Sequence, residues 1–187
     1  NKYKIIEVKN ILKNFKIKIL TLYDFPKINE PKETGKTFKE NAMIKSCFGY
    51  KSFGIPCFAD DSGICINALN DKPGIKSKRF IKENGGYEKT FKIIINQAKI
   101  KNNYNAFFQT SIALTINNKT TVYFDGIVSG KISAKPLGSL GFHYDPIFIP
   151  VGTNKTFAQM SAERKNKISH RYIAIKKLKY FLLELID

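Results

Sequence analysis

The sequence predicts an α/β fold built on a mixed sheet with a long antiparallel hairpin. Three observations carry that prediction. Stretches with apolar residues at helical spacing alternate with β-rich runs along the chain. Two adjacent β-rich runs, 106–116 and 120–129, flank Asn117-Asn118, a hairpin pattern. The 187 residues suit one domain, 1–187, with no internal repeat and no Pro-, Gly- or Ser-rich linker to divide it.

The elements follow in order. Ile5, Val8, Ile11 and Leu12 form one stripe, so 2–14 is a helix. Ile17, Ile19 and Leu20 read as a strand, and 24–36, with Pro26, Pro31 and Gly35, as a polar loop. Thr37 with Glu40 makes a capping box for a helix that carries Phe38, Ala42, Lys45 and Phe48 inward and ends near Gly54. After Pro56 a short strand is expected to stop at Asp60-Asp61-Ser62-Gly63, and a second short strand follows. Residues 70–78 read as a Pro/Gly loop and 88–101 as a helix. Past the hairpin come a glycine-punctuated loop at 133–146 and the strand Ile147-Phe148-Ile149. Ser161 caps a short helix. Ser169 caps the last one, whose inner side carries Ile173, Leu178, Phe181, Leu182 and Leu185.

Composition excludes several classes. With 43% hydrophobic and 25% charged residues, the chain is not disordered. No apolar run approaches the ~20 residues of a membrane span, and no leader pattern supports secretion. Cys47, Cys57 and Cys65 form no CxxC pair, which argues against zinc and for free thiols in a reducing cytoplasm. The net charge of +17 points toward nucleic acid or another polyanion. However, only Arg79, Arg164 and Arg171 are arginines, and about half the chain is Lys, Ile, Asn, Phe or Tyr, residues of AT-rich codons. The lysine excess therefore reads first as a solvated surface. A basic nucleic-acid-binding module is the competing class, and it predicts binding with a steep salt slope and no turnover.

Two segments concentrate chemistry. Asp60 and Asp61 close an apolar strand, where open sheets present reactive groups. Adjacent carboxylates before Ser62-Gly63 suit Mg2+ and a bound phosphate: magnesium takes a few hard oxygens, and a carboxylate can take a proton from water. A strand-ending turn is the plainer alternative. Glu33, in the loop before a helix, has no capping role and is the other candidate metal ligand, or simple surface charge. Asn1 and Lys4 begin a helix, whose dipole favours anions. Lys45 on an inward face needs a partner. Lys165, His170 and Arg171 gather at the last helix start, where they can cradle a polyphosphate. In Gly141-Phe142-His143-Tyr144-Asp145-Pro146, two aromatics can sandwich a base and Asp145 can read its edge. A packed turn explains the same residues.

These motifs resemble, in order, those of the inosine triphosphate pyrophosphatase family, the dITP/XTP pyrophosphatases, in its bacterial form. The matching stretches are Asn1-x-x-Lys4, Glu33-Thr34-Gly35-x-Thr37-Phe38-x-Glu40-Asn41-Ala42, Ala59-Asp60-Asp61-Ser62-Gly63, Lys72-Pro73-Gly74-Ile75, Ser77-x-Arg79-Phe80, Gly141-Phe142-x-Tyr144-Asp145-Pro146-Ile147-Phe148 and Lys165-Asn166-x-Ile168-Ser169-His170-Arg171. The resemblance implies an elongated two-lobed fold around a central cleft, a homodimer, and Mg2+-dependent cleavage of ITP, dITP and XTP to the monophosphate and pyrophosphate. It implies Asp61 as the proton acceptor and metal contact, with Glu33 and Asp60 as the associated carboxylates. Asn1, Lys4, Lys45 and Lys165, with Ser62 and Gly63, resemble the phosphate binders. Phe142, Tyr144, Asp145, His170 and Arg171 resemble the base pocket; read from the residues alone, the last two fit phosphate equally well.

Three departures stand out. The family's first strand, and the Ser/Thr that precedes the Asn by two residues, have no counterpart before Asn1. That raises an inactive truncated relative as a third reading. His143 replaces a usual glycine in the base loop, and Lys76 and Lys78 replace residues usually aromatic and small.

Overall fold

A computed structural model describes residues 2–13 and 18–185. Its helices are α1 (Lys2–Ile11), α2 (Phe38–Phe53), α3 (Ser77–Glu83), α4 (Tyr87–Ile100), α5 (Ala162–Ile168) and α6 (His170–Glu184). Its strands are β1 (Cys57–Ile66), β2 (Lys72–Pro73), β3 (Asn105–Thr115), β4 (Thr121–Ile132) and β5 (Phe148–Pro150). The strands form one sheet in the order β2-β1-β3-β4-β5.

The α/β class is as expected, but the sheet is antiparallel at every pairing rather than mixed. Helix–strand alternation suggested parallel crossovers. Instead α3 and α4 return the chain so that β3 runs against β1. Residues 18–20 form no strand, and Ile17 lies outside the described residues. The hairpin is β3–β4, closed where the Ile116 amide donates to the Thr120 carbonyl at 3.0 Å.

The expected break at Asp60–Gly63 does not occur. The ladder between β1 and β3 is continuous from Cys57–Thr115 to Ile66–Ala106. The polar residues keep their place mid-strand because they find polar partners, as when the Ser62 and Thr110 hydroxyls bond across the ladder. Strand alternation then fixes the site. Asp60 and Ser62 face one side of the sheet, Asp61 and Gly63 the other.

Two hydrophobic cores lie toward opposite ends of the long strands. One gathers Ile64, Ile66, Phe108 and Ile132 with Ile94 and Ala98 of α4 and with Phe148 and Phe157. The other gathers Ile112, Leu114 and Phe124 with Ala174, Ile175 and Leu178 of α6. The aspartate stretch sits between them, at the waist of a two-lobed packing.

Local signals explain the helix ends. The Thr37 hydroxyl accepts from the Glu40 amide at 3.1 Å, and the Glu40 carboxylate reaches back to the Lys36 amide at 2.6 Å, one residue earlier than a capping box requires. Gly54 closes α2 at φ 69°. Ser161 and Ser169 cap α5 and α6. Leu185, expected inside, is exposed just past the end of α6. Helix α3 lies largely beyond the stretch read as a loop, because Lys76, Lys78 and Lys82 hide any apolar stripe.

Gly63 answers a close approach. A Cβ there would collide with the Gly74 carbonyl oxygen and the Ser77 hydroxyl. That hydroxyl accepts from the Ile64 amide at 3.0 Å and donates to the Gly74 carbonyl at 2.6 Å, pinning the 74–77 turn to β1. Gly63→Ala should destabilise the fold by ~1–3 kcal/mol through overpacking. Urea denaturation measures this, and a loss near zero would show that the turn yields.

Candidate functional site

On one face of β1, helix α2 lays two side chains against Asp61. Asn41 and Lys45 are four residues apart and share a helix face. Asn41 Nδ2 donates to Asp61 Oδ2 at 3.3 Å, and Lys45 Nζ to Asp61 Oδ1 at 3.1 Å. Lys45 also donates to Glu33 Oε1 at 2.9 Å, and the Gly35 amide donates to Asn41 Oδ1 at 2.8 Å. The loop carrying Glu33 is thereby tied to the helix that holds Asp61. Burial pushes the Asp61 carboxyl above its ordinary value while Lys45 pulls it back. Burial also opposes ionisation of Glu33, but Lys45 outweighs it and holds that carboxyl low. A buried, more basic carboxylate beside an ammonium is suited to taking a proton from water. On this same face a cavity of about 520 Å³ opens along Gln109, Ser111 and Asp125, next to Gly63 and Asp61 in the ladder.

The opposite face carries a second group. Asp60 Oδ2 accepts from Lys4 Nζ at 2.9 Å and from Ser62 Oγ at 2.6 Å. Arg171 Nη2 lies 3.6 Å from the same oxygen and 3.4 Å from Ser62 Oγ. Burial disfavours the Asp60 charge, yet Lys4, Arg171 and the Ser62 hydroxyl hold its carboxyl well below the usual range. The structure therefore does not gather Asp60 with Glu33 and Asp61.

A third group joins α1, α5, α6 and the base loop. Lys165 Nζ lies 2.7 Å from Asp145 Oδ2 and 3.3 Å from Glu7 Oε1, and Arg171 pairs with Glu7 Oε2. Asp145 Oδ2 also accepts from the Phe142 amide at 2.7 Å, fixing the loop. Lys165 stands 4.4 Å above the Phe142 ring. His170 stacks on Phe108 with centroids 4.8 Å apart and planes 8° from parallel. Burial, with Arg171 and Lys165 nearby, holds His170 neutral. Two buried polar atoms in this group, His170 Nδ1 and Arg171 Nε, have no protein partner.

Several expectations change on this geometry. Lys165, expected among the phosphate binders, sits with Asp145 and Phe142. Tyr144, expected to flank a base, is a core residue: it is 1% exposed, and its hydroxyl donates to the Ser77 carbonyl at 2.7 Å. Phe142 lies under both Lys165 and Arg171, and the buried Phe157 ring lies 5.6 Å from the Lys165 ammonium. Asn1 lies outside the described residues. His143 adopts φ 54°, packs edge-on against Phe142 and lines a cavity of about 420 Å³ with Lys78, Arg79, Lys82 and Tyr87. Glu7 was not singled out by the sequence reading. Its signal was available: it lies three residues after Lys4, on the same face of α1, in a chain with only 15 acidic residues.

Known proteins resemble this chain over most of its length. The Ham1 family model matches residues 1–181. The chain belongs to the Ham1 family. It is 40% identical over 178 residues to the dITP/XTP pyrophosphatase of Flavobacterium psychrophilum, covering 95% of this chain and 93% of that one. It is 39% identical to the dITP/XTP pyrophosphatase of Halalkalibacterium halodurans, with 97% and 95% covered. Among solved structures, a HAM1 protein from Coxiella burnetii superposes with a TM-score of 0.89 at 34% identity, covering 98% and 95% of the two chains. The Ham1 protein of Staphylococcus aureus gives 0.85 at 38%, with the same coverage.

Among the described residues no three His, Cys, Asp or Glu side chains converge as a metal site. Glu33 and Asp61 do converge on one point, and the Lys45 ammonium stands there, 2.9 and 3.1 Å from their oxygens. Two carboxylates that already share one cation are a donor set that fits magnesium, which binds through one or two carboxylates, waters and substrate phosphates.

Proposed function

We propose that this chain hydrolyses dITP, ITP and XTP to the monophosphate and pyrophosphate, clearing non-standard purines from the nucleotide pool. The observation that carries the reading is Asp61, a buried carboxylate held by Lys45 and Asn41 on the α2 face of the sheet. The full-length likeness to dITP/XTP pyrophosphatases supports it. The three free thiols suit a reducing cytoplasm, and the resemblance supports a homodimer.

In this reading Asp61 takes the proton of the attacking water, and Lys45 and Lys4 offset the charge that develops on the departing pyrophosphate. Glu33 and Asp61 would hold Mg2+, which when bound supplies charge neutralisation at the phosphates. Phe142 offers a stacking face to the base. Lys165 and Arg171 bear only donors. They donate to the O6 of hypoxanthine and to the O2 and O6 of xanthine, which accept. The 6-amino group of adenine leaves the O6 donor unpaired, and the 2-amino group of guanine sets donor against donor at C2; mismatch of buried polar groups discriminates strongly. The orphaned Arg171 Nε is the donor such a base would satisfy.

The test is product analysis on dITP with and without Mg2+. Pyrophosphate released one-to-one with dIMP, and only with the metal, is expected. Orthophosphate as the first product would overturn the bond assignment.

A further inference from the structure

We infer that Asp60 is the positioning residue that joins the phosphate and base halves of the site; this rests on the proposed nucleotide chemistry. The sequence presents Asp60 and Asp61 as a carboxylate pair, but adjacent residues of one strand face opposite sides of the sheet. The side-chain hydrogen bonds of Asp61 among the described residues both come from α2. The ion pairs of Asp60 among the described residues come from α1 and α6: Lys4 at 2.9 Å and Arg171 at 3.6 Å. Lys4 is a candidate phosphate binder and Arg171 a candidate base donor. A single oxygen, Asp60 Oδ2, accepts from Lys4 and from the Ser62 hydroxyl and forms an ion pair with Arg171, which itself donates to Ser62 Oγ. Arg171 is 2% exposed, so its fork cannot reorient into water, and its other arm is fixed by Glu7. Asp60 therefore sets where the guanidinium lies relative to the Lys4 ammonium. Glu7 performs the same service one turn further along α1, linking Arg171 to Lys165. A base that pairs properly with Arg171 keeps Lys4 in register, and one that displaces Arg171 disturbs it through the shared oxygen.

This role differs from metal binding in what it predicts. Loss of a metal-holding or proton-accepting carboxylate lowers kcat for every nucleotide alike. Loss of a positioning anion raises KM and erodes the preference among bases. The experiment measures kcat and KM for dITP and dATP on wild type, Asp60→Asn and Asp60→Glu, with fold confirmed by circular dichroism. Asp60→Asn should raise KM for dITP by roughly 10–100-fold, the scale of lost supporting shells. Its kcat should stay within about threefold. The dITP-over-dATP ratio of kcat/KM should fall by about tenfold or more. Asp60→Glu keeps the charge and should recover part of that ratio. If Asp60→Asn does not fold, the same split is read from Asp60→Glu, whose displaced carboxylate should lower the ratio with kcat kept. A fall in kcat with the ratio intact, in whichever variant folds, overturns the inference. So does an unchanged ratio at unchanged kcat. A wild type that shows no preference for dITP would sink the proposed function itself, a separate outcome read before any variant.

Discussion

Asp61→Asn should lower kcat for dITP by roughly 10²–10⁴-fold, the usual worth of a general base, while KM changes little. The amide keeps the shape of the carboxylate and can still meet Lys45 and Asn41, so the fold is retained. What it lacks is a lone pair basic enough to take a proton. Lys45 then loses one of its two carboxylates but keeps Glu33 at 2.9 Å. Steady-state kinetics with a pyrophosphate readout check this, and a circular dichroism melt confirms the fold. Turnover within a few-fold of wild type would remove Asp61 from the chemistry. The basic-module reading predicts something else: removing a negative charge should not weaken polyanion binding at all.

Lys165→Met should destabilise the protein by roughly 3–5 kcal/mol. Its ammonium is buried between Asp145 at 2.7 Å and Glu7 at 3.3 Å. Methionine matches the stem and removes the charge, leaving two buried carboxylates short of a partner. At this chain length each kcal/mol moves Tm by about 2–4 °C, so a fall on the order of 10 °C is expected. The sign of the pH dependence follows from Asp145. Burial already pushes its carboxyl up, with Lys165 pulling it back. Without Lys165 it rises further, so the folded variant binds a proton more tightly than the unfolded chain does. The variant's deficit should therefore shrink as pH falls through the acid range and be largest at neutral pH. Thermal melts at pH 5 and pH 7.5 measure both effects. A change in Tm of a degree or less at neutral pH would show the network to be dispensable.

How much of this could be read from the residues varies by element. Capped helices were legible because Thr37, Ser161 and Ser169 carry their own local signal, a hydroxyl placed to accept a backbone amide. The hairpin was legible from alternation and its turn. Sheet direction was not, since pairing is decided by how helices return the chain and not by any single segment. The end of the first long strand was misplaced because two aspartates, a serine and a glycine look like a turn; their cross-strand partners Ser111, Thr110 and Gln109 are some 50 residues away. Lys45 was correctly placed inward, since its helix face fixed that. The separation of Asp60 from Asp61 followed from strand alternation once the strand was known to continue. Lys165, Tyr144 and Glu7 depended on long-range packing. Tyr144 is held by Ser77 and Glu7 by Arg171, contacts that span 67 and 164 residues and leave no local pattern.

The central claim is selective release of pyrophosphate from non-standard purine triphosphates. Its most direct test is kcat/KM with Mg2+ across XTP, dITP, ATP and GTP, scoring pyrophosphate. Base reading by Lys165 and Arg171, as proposed, predicts turnover of XTP and dITP at least ~10²-fold above ATP and GTP. Equal turnover of all four, or activity confined to ATP, would contradict it.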